Sequence, residues 1–197
     1  MSPFELVFAV FGLLLGLAVA EVLGGFSRTL KLRRSAKPVR IGWLTPLLGL
    51  FVVLDLTSFW LLAYGARDQI AANYITLVAV MAIVGIYYMA ATLIFPDEPE
   101  EWPDFDDWYD KQNRLVIGGL LTANIASMIG EGVLELYVPG PEIEISDAAT
   151  AVLLFGFVGL VSLLVALLFV NSRRWNVAML AALSAILLGA SIAEELL

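Results

Sequence analysis

RLVIGGLLTANIASMIGEGVLELY, residues Arg114–Tyr137, is the stretch on which the fold turns. It is long enough to cross a bilayer. Asn124, Ser127, Glu131 and Glu135 also make it the most polar of the long apolar runs. Small residues recur along it at Gly118, Thr122, Ala126 and Gly130, and a second row, Gly119, Ala123 and Ser127, lies beside the first. At helical spacing these rows form a groove in which other helices can pack closely. A helix of this kind belongs in the middle of a membrane bundle.

The rest of the chain has the same character. Its 197 residues are 60% hydrophobic, with a mean hydropathy of +0.89; ordinary soluble domains are about 45–50% apolar. The excess sits in long blocks, which indicates one polytopic membrane domain over residues 1–197. The chain contains no cysteine and no histidine. Disulfides, thiolate or histidine metal sites, histidine-ligated haem and Ser-His-Asp catalysis are therefore excluded. Any metal site would need oxygen ligands alone, and no metal or cofactor is assigned. No lysine lies inside an apolar run, and no phosphate-binding or dinucleotide fingerprint is present. The net charge of −8 argues against nucleic acid as a partner.

Six spans follow from the apolar blocks: residues 4–26, 41–64, 71–95, 114–137, 148–170 and 176–193. The first lacks the basic leader of a signal peptide and reads as a retained helix. It carries its own small-residue row, Gly12, Gly16, Ala20 and Gly24, and Glu21 near its end. The link after it holds Arg28, Lys31, Arg33, Arg34, Lys37 and Arg40 without an acid. Such a segment stays on the cytoplasmic side and contacts anionic lipid head groups. Between the third and fourth spans, residues 96–113 are rich in Asp and Glu, with Trp102, Phe105, Trp108 and Tyr109 at helical intervals. A short amphipathic helix on the membrane surface, started by Pro103, is expected there.

Orientation follows from the basic residues. With the Arg28–Arg40 link inside, Lys111, Arg114, Arg173 and Arg174 also fall inside. Of the 11 Lys and Arg residues, Arg67 alone lies outside. Both termini are then expected outside, in a bacterial cytoplasmic membrane. Displacing the chain so that Gly12 falls on Gly118 also aligns Ala20 with Ala126, Gly24 with Gly130, and Phe51-Val52 with Phe157-Val158. This suggests a 3+3 inverted repeat, as in many transporters; chance matching of helices rich in Leu, Gly and Ala accounts for it equally well.

The polar residues inside the spans bear on function. Asp55 is about 18 Å along its helix from Trp43, near the bilayer midplane. An Asp there costs roughly 2.5–3.5 kcal/mol on insertion scales, so it needs a partner. Asn124, about 15 Å from Arg114, lies at a similar depth. The two are expected to face each other or a shared cavity, with Thr57, Ser58, Tyr87 or Tyr88 nearby. Asp55 is then either a proton-carrying site or hydrogen-bonded helix glue. Glu131 and Glu135 share a face near the outer end, as a cation-attracting mouth or as solvated acids in a vestibule. Glu21 and Arg28 suit an interfacial ion pair.

Two functions compete. The first is a small transporter or channel for a cation or small solute, using Asp55, Asn124, Glu131 and Glu135. The second is a non-catalytic scaffold or accessory subunit, in which the small-residue rows are interfaces within a homo-oligomer or a larger membrane complex. Paired carboxylates without a nucleophile argue against an intramembrane enzyme.

Overall fold

The structure, a computed structural model, describes residues 3–33, 39–140 and 147–196. Each apolar block forms a helix: α1 Pro3–Leu32, α2 Leu44–Gly65, α3 Tyr74–Thr92, α4 Phe105–Tyr137, α5 Asp147–Phe169 and α6 Arg173–Leu196. All six are long and apolar enough to cross a membrane. Among the described residues there is no strand beyond an isolated bridge between Arg40 and Asp104.

Local chemistry explains where the helices depart from the expected limits. α1 continues past residue 26 because nothing there breaks it; the Thr29 hydroxyl donates to the Gly25 carbonyl, and the Arg33 N–H to that of Thr29. α3 starts after Asn73, whose side chain accepts from the Thr76 N–H at 2.9 Å. It stops at Thr92, and the Trp108 indole N–H lies 3.2 Å from the open carbonyls of Leu93 and Ile94. The acidic link does not make a surface helix of its own. Asp104, not Pro103, caps a helix that runs unbroken from Phe105 to Tyr137. No proline interrupts that stretch, so the amphipathic turns and the span are one rod.

The helices pair α1 with α3, α3 with α4, α4 with α5, α5 with α6 and α6 with α2. α2 also meets α1, closing a ring, and touches α4 across its middle. The halves are not paired alike: α1 packs mainly on α3, whereas α4 packs on α3 and α5.

In lipid there is little hydrophobic drive between helices, so close van der Waals packing and hydrogen bonds hold them together. α1 buries Val7, Phe11, Leu15, Ala18 and Val22, a stripe at three- and four-residue intervals. Near its end, Gly25 receives the Phe95 ring with no space for a Cβ, and Phe26 stacks edge-on with Phe95 at 5.1 Å. Gly49 of α2 admits Phe26 in the same way.

One end of the bundle carries the starts of α2, α4 and α6, and it is stitched by polar contacts. The Arg40 N–H donates to the Pro103 carbonyl and the Phe105 N–H to that of Arg40, at 2.9 and 3.0 Å. The Thr45 hydroxyl donates to the Phe105 carbonyl at 3.1 Å. Trp43 offers α2 no side-chain cap; the Asp106 carboxylate of α4 stands against this start instead, beside Gly42. Gly42 leaves room for that carboxylate, since a Cβ would collide with it. Arg173 of α6 bridges Asp107 and Asp110 of α4, each at 2.6 Å.

Candidate functional site

Asp55 lies midway along α2, where the stripe Leu48, Phe51, Val52, Leu56 turns toward the bundle interior. It is 2% exposed. The Asn124 amide of α4 donates to its Oδ2 at 2.9 Å and also donates to the Leu120 carbonyl one turn back, at 3.0 Å. The hydroxyl of Tyr87, on α3, lies 3.4 Å from the same amide nitrogen and beside the Asp55 carboxyl. Tyr87 is itself fully buried, with its ring against Phe59 at 5.5 Å. Three helices thus each contribute one polar group to a single cluster.

The magnitudes fit a closed cluster. Hydrogen bonds to a charged group are worth about 1.5–3 kcal/mol. Two such contacts offset the roughly 2.5–3.5 kcal/mol insertion cost of an aspartate at mid-helix. Leu56, Leu120, Val84 and Ala123, all buried, belong to the surrounding core. Thr57 and Ser58 take no part, because their hydroxyls return to the carbonyls of Val53 and Leu54 on their own helix. Tyr88 is half-buried and packs against the core beside its neighbour.

At the far end of α4, Glu131 is exposed. Glu135 is tied down: the Gln69 side-chain amide donates to it at 2.9 Å and to the Val138 carbonyl at the same distance. Gln69 thereby joins the turn after α2 to the end of α4, a role its position in the short turn did not announce.

The small-residue rows divide. On α4 the second row packs: Ala123 is buried, and a Cβ on Gly119 would stand 3.6 Å from Ala90 and Ile86 of α3. The first row lies elsewhere on the helix surface. At Gly118 and Gly130 a Cβ would have no neighbouring atom within 4 Å, Thr122 is exposed and Ala126 is half-buried. On α1, Gly12 faces Trp60 of α2, Gly24 lies near the side chain of Arg28, and Gly16 and Ala20 face outward.

The basic residues gather at the stitched end. Arg28 pairs with Glu21 at 3.0 Å, as their seven-residue spacing suggested. Arg40 pairs with Asp104 at 3.3 Å. Lys31 and Arg33 close α1, while Arg34 and Lys37 lie outside the described residues. Lys111 stands over the rings of Trp102 and Trp108 at 4.9 and 5.8 Å. Among the described residues, no three His, Cys, Asp or Glu side chains gather to hold a metal ion.

A second polar group, not anticipated from the sequence, occupies the stitched end: Tyr109 and Asn113 of α4 and Asn176 of α6, all buried. A signal for half of it was there, since Asn113 precedes Asn124 by eleven residues and so shares its helix face. No family model matches the chain, and neither a curated protein nor a solved structure matches it.

Proposed function

We propose that this chain is a non-catalytic subunit of a membrane assembly: a six-helix scaffold that associates through its small-residue rows, in the first place with copies of itself. The observation that carries this reading is the enclosure of Asp55. An acid 2% exposed and bonded to its neighbours on α3 and α4 suits a lock between helices. Gly16, Gly118 and Gly130, with open space around them, leave backbone surfaces that a further helix can approach. The stitched, basic end lies on the cytoplasmic side of a bacterial inner membrane against anionic lipid, and both termini lie outside.

The test is native mass measurement in mild detergent, on the wild type and on Gly16→Leu and Gly118→Leu. Association in the wild type that is lost in a variant with unchanged melting supports the scaffold; a wild type that is strictly monomeric at every detergent concentration overturns it.

One observation favours transport as a second reading. Asn124, Ser127 and Glu131 fall at i, i+3 and i+7 on α4, a polar stripe from the Asp55 cluster toward the far end. In that reading Asp55 exchanges a proton during the cycle. Flux in proteoliposomes that persists in Asp55→Asn removes it.

A further inference from the structure

Every buried side-chain polar atom without a hydrogen-bond partner among the described residues lies at the stitched end. They are Asp106 Oδ1, the Tyr109 hydroxyl, and both the Nδ2 and the Oδ1 of Asn176. Tyr109 is 2% exposed and Asn176 1%. The two stand against each other and against Asn113, yet neither the phenol nor either end of the Asn176 amide makes a bond of acceptable geometry. Asp106, Tyr109 and Asn113, at i, i+3 and i+7, share one face of α4.

An orphaned buried donor or acceptor costs about 1–3 kcal/mol, and three such atoms on two facing side chains, Tyr109 and Asn176, are a concentration that calls for a ligand. The chemistry of the group narrows the class. A phenol and two primary amides are neutral and can both donate and accept, which suits a small neutral molecule with both capacities. A buried water, making about three hydrogen bonds, fits that description. Asp106 adds a pure acceptor on the same face. The bridge from Arg173 to Asp107 and Asp110 lies at the start of the same two helices.

We propose that Tyr109, Asn113 and Asn176 form an internal water site between the first turns of α4 and α6. The water satisfies the Asn176 amide and the Tyr109 hydroxyl together and fastens α6 to α4 where direct side-chain bonds fail. The site is closed toward the bundle centre. Ile117 and Leu120, both fully buried, separate Asn113 from Asn124, about 16 Å further along the helix. α4 therefore carries two polar levels on one face, one completed by water and one completed by direct side-chain bonds.

Water-edited solid-state NMR of the full chain in lipid bilayers, observing side-chain amides, tests this. The Asn124 amide, half-buried midway along α4 and bonded to Asp55 and the Leu120 carbonyl, is the internal comparison. At short mixing times the Asn176 amide is expected to take up water magnetisation several-fold faster than that of Asn124. Tyr109→Phe, which removes only the hydroxyl, is expected to slow uptake at Asn176 several-fold and to leave Asn124 unchanged. Uptake at Asn176 as slow as at Asn124 in the wild type overturns the proposal, and so does uptake at Asn176 untouched by Tyr109→Phe.

Discussion

At the residue scale, Asp55 shows how far a sequence can be read. Its depth could be counted from Trp43, and lipid demands a partner for a carboxyl at that depth. Asn124 followed because it was the polar side chain at matching depth, and the two are 2.9 Å apart. Which hydroxyl joins them was not legible. Thr57, Ser58, Tyr87 and Tyr88 all lie within reach along the chain, and helix rotation, set by packing, selects Tyr87. The lock makes a paired prediction. Asp55→Asn keeps an acceptor for the Asn124 amide and should lower stability by less than about 1 kcal/mol. Asp55→Leu leaves the Asn124 amide with the Leu120 carbonyl and the longer Tyr87 contact, and strips Tyr87 of its carboxyl neighbour. It should cost about 1–3 kcal/mol. Thermal unfolding in detergent distinguishes them; equal losses would mean that shape alone, and not the hydrogen bond, matters at this position.

At the element scale, spacing identified glycine rows but not the direction they face. Rows on α1 and α4 were equally good candidates for packing inside the chain. The second row of α4 packs, with Gly119 against α3, and Gly12 of the α1 row meets Trp60; the tightest contacts fall outside the rows, on Gly25 and Gly49, which take Phe95 and Phe26. A helix pattern shows which residues share a face; the identity of the facing neighbour depends on bulky partners far away in sequence. Gly25→Ala should therefore cost about 1–3 kcal/mol by overpacking against the buried Phe95 ring. Gly16→Ala, with nothing within 4 Å, should stay within about 0.5 kcal/mol of wild type. A melting temperature lowered equally by both would mean that the close fit of Phe95 on Gly25 does not hold α1 in place. The link before α4 titrates in its own way. A hydrogen bond from Glu101 first, and then its charge, raises the Glu98 carboxyl above the ordinary value of 4.5. A carboxyl with a raised value holds its proton more tightly in the folded chain, so this contact strengthens as pH falls and is lost as pH rises through that value. NMR titration should give a midpoint for Glu98 above 4.5 that Glu101→Gln brings down.

At the scale of the whole molecule, the six spans were legible because lipid requires long apolar helices and little else forms them. The ring order was not, since apolar helices of similar composition carry no label for their neighbours. The distribution of charge is a stronger global signal. Among the described residues, the basic side chains other than Arg67 gather where α2, α4 and α6 begin and α1 ends. Arg67 instead folds back on Tyr64, its guanidinium 4.8 Å from the ring. Carboxylates at the stitched end pair with Arg40 and Arg173, but Asp and Glu contribute little to orientation, so those pairings do not weaken the bias. The chain has no cysteine of its own, and single cysteines therefore report unambiguously on sidedness. Asp68→Cys, in the turn after α2, should react with a membrane-impermeant maleimide on intact bacterial cells. Ser172→Cys, in the turn between α5 and α6, should react only after permeabilisation. The reverse pattern would put the basic end outside and remove the anionic-lipid contact; labelling of both sites in intact cells would mean that the helices between them do not cross the membrane as six spans.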